Sequence, residues 1–202
     1  MEYKVDLDEN ILYEGNVIKG TNIKNGKGIE YKINKDNIIF EGEYLNGERN
    51  GKVKEYDYNG KLKFEGEYLN GKRNGKGKEY NYSKLIFEGE YLNGERNGKG
   101  KEYNYDSKLK YEGEYLNGER NGKGIEYYYN GKLKYEGEYL NGKRWNGKGK
   151  EYYHNGELIF EGEYYNGKRW NGKGKEYDIW NCKLLFEGEY LNGKKNGKGK
   201  EY

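Results

Sequence analysis

The 17-residue stretch "FEGEYLNGKRNGKGKEY", Phe64 to Tyr80, decides the fold. Its first half alternates. Leu62, Phe64, Gly66 and Tyr68 fall on one face of an extended chain, and Lys63, Glu65 and Glu67 on the other, which is strand periodicity. Asn-Gly pairs follow. Asn70-Gly71 and Asn74-Gly75 flank one loop, and Asn59-Gly60 makes the neighbouring one. Asn and Gly accept the positive φ that tight hairpins demand. The stretch therefore predicts two antiparallel strands. Placing Gly66 opposite Gly77 sets Glu65 against Lys78 and Glu67 against Lys76, so the acidic and basic words complement each other. Strict alternation then puts Glu79 on the Phe64 face and Tyr80 on the charged face. Either a bulge swings Tyr80 over, or both faces carry aromatic rows.

The same words recur. Aromatic-Glu-Gly copies start at Tyr13, Phe40, Phe64, Phe87, Tyr111, Tyr135, Phe160 and Phe186, 23 to 27 residues apart. A fixed period of this length predicts a repeat array in which each unit contacts mainly its neighbours. Composition agrees. Charged residues make up 36% and the net charge is only +3. The 26 tyrosines argue against disorder, because disordered chains are poor in aromatics. No segment has helical apolar spacing, and Gly is too frequent for helix interiors. The expected fold class is all-β: an elongated single-layer antiparallel meander of about eight stacked β-hairpins.

The segment "YEGEYLNGERNGKGIEYYYNGKLKYEGEYLNGKR", Tyr111 to Arg144, resembles the MORN (membrane occupation and recognition nexus) repeat family. The unit is similar in its aromatic-x-Gly-x-aromatic opening, its Asn-Gly-Lys and its Gly-x-Gly. The Gly-Lys-Gly-Lys-Glu-Tyr ending is closer to the antitoxin-type bacterial variant. The resemblance covers Tyr13 to Tyr202, so one array over residues 1–202 is expected, and Val17 in place of the second aromatic, with Ile18 and Ile23, marks 1–39 as a divergent N-terminal cap. It implies a ladder of hairpins that acts as a scaffold, dimerisation module or binder of partner helices, with lipid association in some members.

Catalytic, cofactor and metal sites are not expected. Gly142 to Lys148 fits the spacing of a phosphate-binding loop, but Gly149 stands where Ser or Thr must hold Mg²⁺, and no helix follows. The same spacing at Gly167 to Lys173 has the same origin, an inserted Trp. His154 lacks metal-binding companions, and Ser83 and Ser107 sit in turns without a base. The carboxylates repeat identically, whereas an active site needs one place that differs. Cys182, the single cysteine, leaves no intramolecular disulfide, and the first ten residues have no basic n-region or apolar h-region, so no signal peptide is expected. A cytoplasmic location, or one peripheral to a membrane or cytoskeleton, is expected.

The expected function is a non-enzymatic scaffold or protein-interaction module. Its candidate partner surface is the aromatic row Tyr68, Tyr91, Tyr115, Tyr139 and Tyr164, with the loop tryptophans Trp145, Trp170 and Trp180. An alternative is a peripheral module that binds anionic lipid weakly through basic hairpin tips. Arg49, Arg73, Arg96, Arg120, Arg144, Arg169 and Lys195 recur in register there. The tips Lys143-Arg144, Lys168-Arg169 and Lys194-Lys195 lack the acid that neutralises earlier ones. Near-balanced charge and the absence of a docking motif argue against nucleic acid. The strand around Lys198 to Tyr202 is expected to pair with a second copy, tail to tail.

Overall fold

The computed structural model describes residues 2–6, 11–32, 37–178 and 183–201, with side chains described for 11–32, 37–178 and 183–196. Trp180, Cys182 and Tyr202 lie outside the described residues, and so do the side chains of the 197–201 segment invoked for a dimer. The chain forms two compact units, Met1–Ser107 and Lys108–Tyr202. Every described regular element is a strand.

The first unit is an antiparallel meander. It runs β1 (Glu2–Asp6), β2 (Ile11–Val17), β3 (Lys24–Lys32), β4 (Asn37–Leu45), β5 (Glu48–Tyr56), β6 (Leu62–Leu69), β7 (Lys72–Asn81), β8 (Lys84–Leu92) and β9 (Glu95–Tyr103). Each strand pairs with the next in sequence. The second unit repeats the scheme. Its strands are β10 (Leu109–Leu116), β11 (Glu119–Tyr127), β12 (Leu133–Leu140), β13 (Lys143–Arg144), β14 (Gly147–Tyr152), β15 (Leu158–Tyr165), β16 (Lys168–Tyr177), β17 (Leu184–Leu191) and β18 (Lys194–Glu201). Both β13 and β14 pair with β12 as two pieces of one strand.

The two Asn-Gly words of a repeat do different work. Asn70 and Gly71 both have positive φ, 50° and 75°, and form the two-residue hairpin turn between Leu69 and Lys72. That is the primed turn whose twist matches paired strands. Asn74-Gly75 lies inside β7 as a bulge. Gly66 faces Gly77 and Tyr68 faces Arg73, so three residues of β7 oppose Glu67 alone. The bulge corrects one expected pair. Glu65 faces Lys78 as read from the sequence, but Glu67 faces Lys52 of the preceding hairpin, not Lys76. A second bulge, at Lys63, lets Phe64 face Glu55 while Leu62 faces Tyr56. Leu62 is thereby turned away from the Phe64 face to which simple alternation assigned it.

Glycines make a trench across the buried face. In the first unit Gly15, Gly28, Gly42, Val53, Gly66, Gly77, Gly89 and Gly100 pair in succession. Aromatic rings lie in it. Phe40, Phe64 and Phe87 are fully buried, and Tyr44, Tyr68 and Tyr91 nearly so. The rings zigzag between repeats in edge-to-face contact: Phe40–Tyr68 at 6.1 Å, Phe64–Tyr68 at 6.1 Å, Phe64–Tyr91 at 5.3 Å and Phe87–Tyr91 at 5.7 Å. Each such pair contributes about 0.5–1.5 kcal/mol beyond area burial. The second unit does the same through Tyr111, Tyr139, Tyr135, Tyr164, Phe160 and Tyr190.

The opposite face carries a charge ladder. Glu41, Lys54, Glu65, Lys78, Glu88 and Lys101 oppose one another on consecutive strands, with alternating sign. Tyr80 also lies here, its hydroxyl donating to Glu65 at 2.6 Å, while Glu79 faces Phe64 on the buried side. Both faces therefore carry aromatic rows, which settles the alternative left open by the sequence.

A methyl group at Gly66 would stand 2.7 Å from each of the Phe64 ring, the Gly77 Cα and the Lys76 carbonyl oxygen. Two of those three contacts are backbone and cannot yield. Gly66→Ala is expected to destabilise the protein by about 1–3 kcal/mol, read as a lower urea midpoint. An unchanged midpoint would contradict the trench packing.

Candidate binding surfaces

The arginines expected at the hairpin tips are elsewhere. Each folds back over the first ring of its own hairpin. Arg49 stacks on Phe40 at 4.0 Å, Arg73 on Phe64 at 4.1 Å, Arg96 on Phe87 at 4.0 Å, and Arg144 on Tyr135 at 4.1 Å. The guanidinium then reaches the glutamate that ends the preceding hairpin. Arg73 donates to both oxygens of Glu55 at 3.0 and 3.1 Å, and Arg96 to both of Glu79 at 3.1 and 2.7 Å. Arg49 meets Glu30 at 2.6 Å, and Arg144 meets Glu126 at 3.0 Å. The tyrosine of the same hairpin donates to the same carboxylate: Tyr68 to Glu55, Tyr91 to Glu79 and Tyr139 to Glu126. The hydroxyls of Tyr44 and Tyr164 are buried without a hydrogen bond. There Glu30 is held by Lys24 and Arg49, and Glu151 by Arg144 and Arg169.

This geometry corrects two expectations. Tyr68, Tyr91, Tyr115, Tyr139 and Tyr164 are 3–8% exposed and form core, so they offer no ring face to a partner. Arg144 and Arg169 are likewise not part of a solvated cationic edge. Each side chain is only 21% exposed and is ion-paired. The physical reason is shared: a single-layer sheet has no second layer to cover its rings, and the arginine supplies that cover. Of the remaining edge residues, Lys143, Lys168 and Lys194 are exposed. Lys195 approaches Glu176 at 2.9 Å and the Phe186 ring at 4.6 Å, taking the place of an arginine.

The two inserted tryptophans are absorbed differently. Trp145 enlarges the bulge between β13 and β14, and pairing resumes in the usual register with Glu136 opposite Lys150. Its amide donates to the Glu138 carbonyl, and its ring is 37% exposed. Around Trp170 the register slips instead. Gly162 faces Gly172 and Glu161 faces Lys173, two residues short of the repeat's usual partners Gly174 and Lys175. Trp170 packs on Tyr165, ring centres 5.0 Å apart.

Two exposed apolar rows escaped the sequence reading. Leu45, Leu69 and Leu92 stand just before the hairpin turns of the first unit and are about half exposed, as are Leu116, Tyr165 and Leu191 in the second. Tyr58, Tyr82 and Tyr105, at 69–73% exposure, project from the turns between repeats in the first unit, and Tyr129 from one in the second. The signal was one exposed aromatic per connector, hidden among so many tyrosines.

A family model described as MORN repeat matches residues 40–61, 64–83, 87–107, 111–132, 135–157 and 186–202, more than half of the chain. The chain belongs to the MORN repeat family, whose members are generally scaffold, interaction or membrane-associated modules. The copy beginning at Phe160, where the register slips, is not among the matched segments. None of the curated proteins compared with the chain matches it. No helix among the described residues is long and apolar enough to cross a membrane.

The arginine–glutamate–tyrosine contacts leave a signature in titration. Burial alone would raise the carboxyls of Glu55 and Glu79. The hydrogen bonds from arginine and tyrosine, with the arginine charge, outweigh it and hold both below the usual range. Burial, then the neighbouring carboxylate, pushes Tyr68 and Tyr190 up to about 12. Depressed carboxyls stabilise the fold above their ordinary pKa near 4.3, and that stability is lost as pH falls through the folded value. Raised tyrosines stabilise it below pH about 10, and that stability is lost as pH climbs toward 12. Absorbance titration of the native protein is expected to show a group of tyrosines ionising near pH 12. A single step completed near pH 10 would contradict the arrangement.

Proposed function

We propose that the protein is a non-enzymatic scaffold that binds other proteins along its repeats, in the cytoplasm or at a surface bordering it. The supporting observation is what the ladder leaves over. Arginines, glutamates and core tyrosines are consumed in holding one repeat to the next, while Leu45, Leu69 and Leu92 and the turn tyrosines stay uncovered in register. Regular apolar rows on a rigid sheet suit an extended partner contact. Affinity capture from the source cell tests this with two variants, Leu45/Leu69/Leu92→Glu at the tips and Tyr58/Tyr82/Tyr105→Ala at the turns. A stoichiometric partner lost by either variant is the expected result. Equal recovery with both, or no stoichiometric partner, overturns the proposal.

A second reading is favoured by one observation in the second unit. The exposed Lys168 and Lys194 pair with Tyr165 and Leu191 across their turns, and the exposed Lys143 stands two residues before Trp145, each of these apolar side chains at least 37% exposed. Cations next to apolar side chains suit an anionic bilayer surface. Lys143/Lys168/Lys194→Glu is expected to abolish any co-sedimentation with phosphatidylserine vesicles. Salt-insensitive sedimentation, unchanged in the variant, would exclude that reading.

A further inference from the structure

The turn tyrosines of the first unit border a groove, and its geometry selects one kind of occupant. This rests on the reading of the chain as an interaction module and names the chemistry of one partner. The groove, of 470 Å³, lies on the charged face at the turns between repeats. Tyr56 and Tyr80, both half-buried, line it. Their hydroxyls donate to Glu41 at 3.1 Å and Glu65 at 2.6 Å, which fixes the rings before anything binds. Tyr58 and Tyr82, each 73% exposed, line its solvent side, and Ile39 and Leu62 add aliphatic surface. Tyr105, 69% exposed, continues the outer row in the following turn.

Successive turns are two strands apart, so the backbone that carries the outer tyrosines repeats about every 9.6 Å. Three regular chain conformations can be set against that spacing. A partner helix gains about 10.8 Å in two turns and drifts by more than an ångström per repeat. An extended strand reaches a similar distance with its third residue, but that residue points to the opposite side. A polyproline II chain gains about 9.3 Å in one turn of three residues, and each third residue returns to the same side. It stays in step with the tyrosines. Proline rings on aromatic-lined grooves are also the known chemistry by which such chains are recognised, at little entropic cost.

Charge completes the description. Lys32 and Lys63 line the groove, with Lys32 Nζ 5.2 Å from the Tyr58 ring. Lys61 Nζ lies 5.7 Å from the Tyr82 ring. Asp57 also lines the groove and keeps its negative charge while it accepts the amides of Asn59 and Lys61 at 2.8 and 2.9 Å. Lys32, Lys61 and Lys63 outnumber Asp57 at the rim, while Glu41 and Glu65 are bonded to the Tyr56 and Tyr80 hydroxyls further in. The geometry points to an acidic, proline-rich segment of another protein as its occupant, bound as polyproline II with one turn per repeat. Every third residue stacks on Tyr58, Tyr82 and Tyr105, and the acids between meet the lysines.

Fluorescence anisotropy of the full chain with a labelled peptide of repeated Pro-Pro-Glu tests this. Saturable binding is expected, weakened at least about tenfold in Tyr58→Ala/Tyr82→Ala, and weakened by salt. Both rings are exposed, so the variant's melting temperature should not move, and a lost signal then reports the contact rather than the fold. A peptide of repeated Gly-Ser-Glu, equal in charge but without the polyproline restraint, should not bind. The inference is overturned by no saturable binding, by equal binding of the glycine peptide, or by equal binding in the double variant. If it fails while the tip variant still loses a captured partner, only this inference falls and the module reading stands.

Discussion

An arginine lies over the first ring of its hairpin and holds the last glutamate of the hairpin before, and the rest of each unit depends on that contact. A lone sheet faces a problem that a sandwich does not: its aromatic face has no second layer to exclude water. Glycines beneath let the rings sink against the backbone. The guanidinium above covers them while keeping its charge paired. Arg73 shows the whole device, with Phe64 below it at 4.1 Å and Glu55 bonded at both oxygens. Stacking of this kind contributes from about 0.5 kcal/mol at an exposed site to about 2 kcal/mol where water is excluded. Because the acceptor belongs to the neighbouring repeat, the contact also couples repeats, as a quasi-one-dimensional array requires.

The turns reinforce the coupling. Gly47 donates its amide to the carbonyl of Lys24, Gly71 to that of Arg49, and Gly94 to that of Arg73, each across to the preceding hairpin. Where Trp170 is inserted, Gly193 donates to the Trp170 carbonyl instead, and the register of β15 and β16 slips by two residues. The chain keeps the ring–cation pair even there, with Arg169 5.1 Å from Phe160 and bonded to Glu151. Strand register gives way before the contact does.

Much of the fold was legible in Phe64 to Tyr80. Alternation gave the strands, Asn70-Gly71 the turn, and Gly66 opposite Gly77 the register. Asn74-Gly75 misled, because the same dipeptide that closes a hairpin also makes a bulge, and propensity cannot separate the two. The site was less legible. Alternation already put Glu79 on the ring face, but an acid there looked like a conflict, since its partner Arg96 belongs to the next repeat. The arginines looked like tip cations because sequence gives position and not the direction of a long side chain. The tyrosines looked like a partner surface for the same reason, although those in the Tyr68 position are core and those in the Tyr58 position are exposed.

A double-mutant cycle between Arg73→Met and Glu55→Gln, read by urea unfolding, tests the coupling most directly. Each single change strands a nearly buried group and should cost about 3 kcal/mol. The double variant, with neither charge, should lose about 2 kcal/mol less than the sum of the two. Losses that add to within about 0.5 kcal/mol would show that the two residues act independently, and the stacked arginine would then not be what joins the repeats.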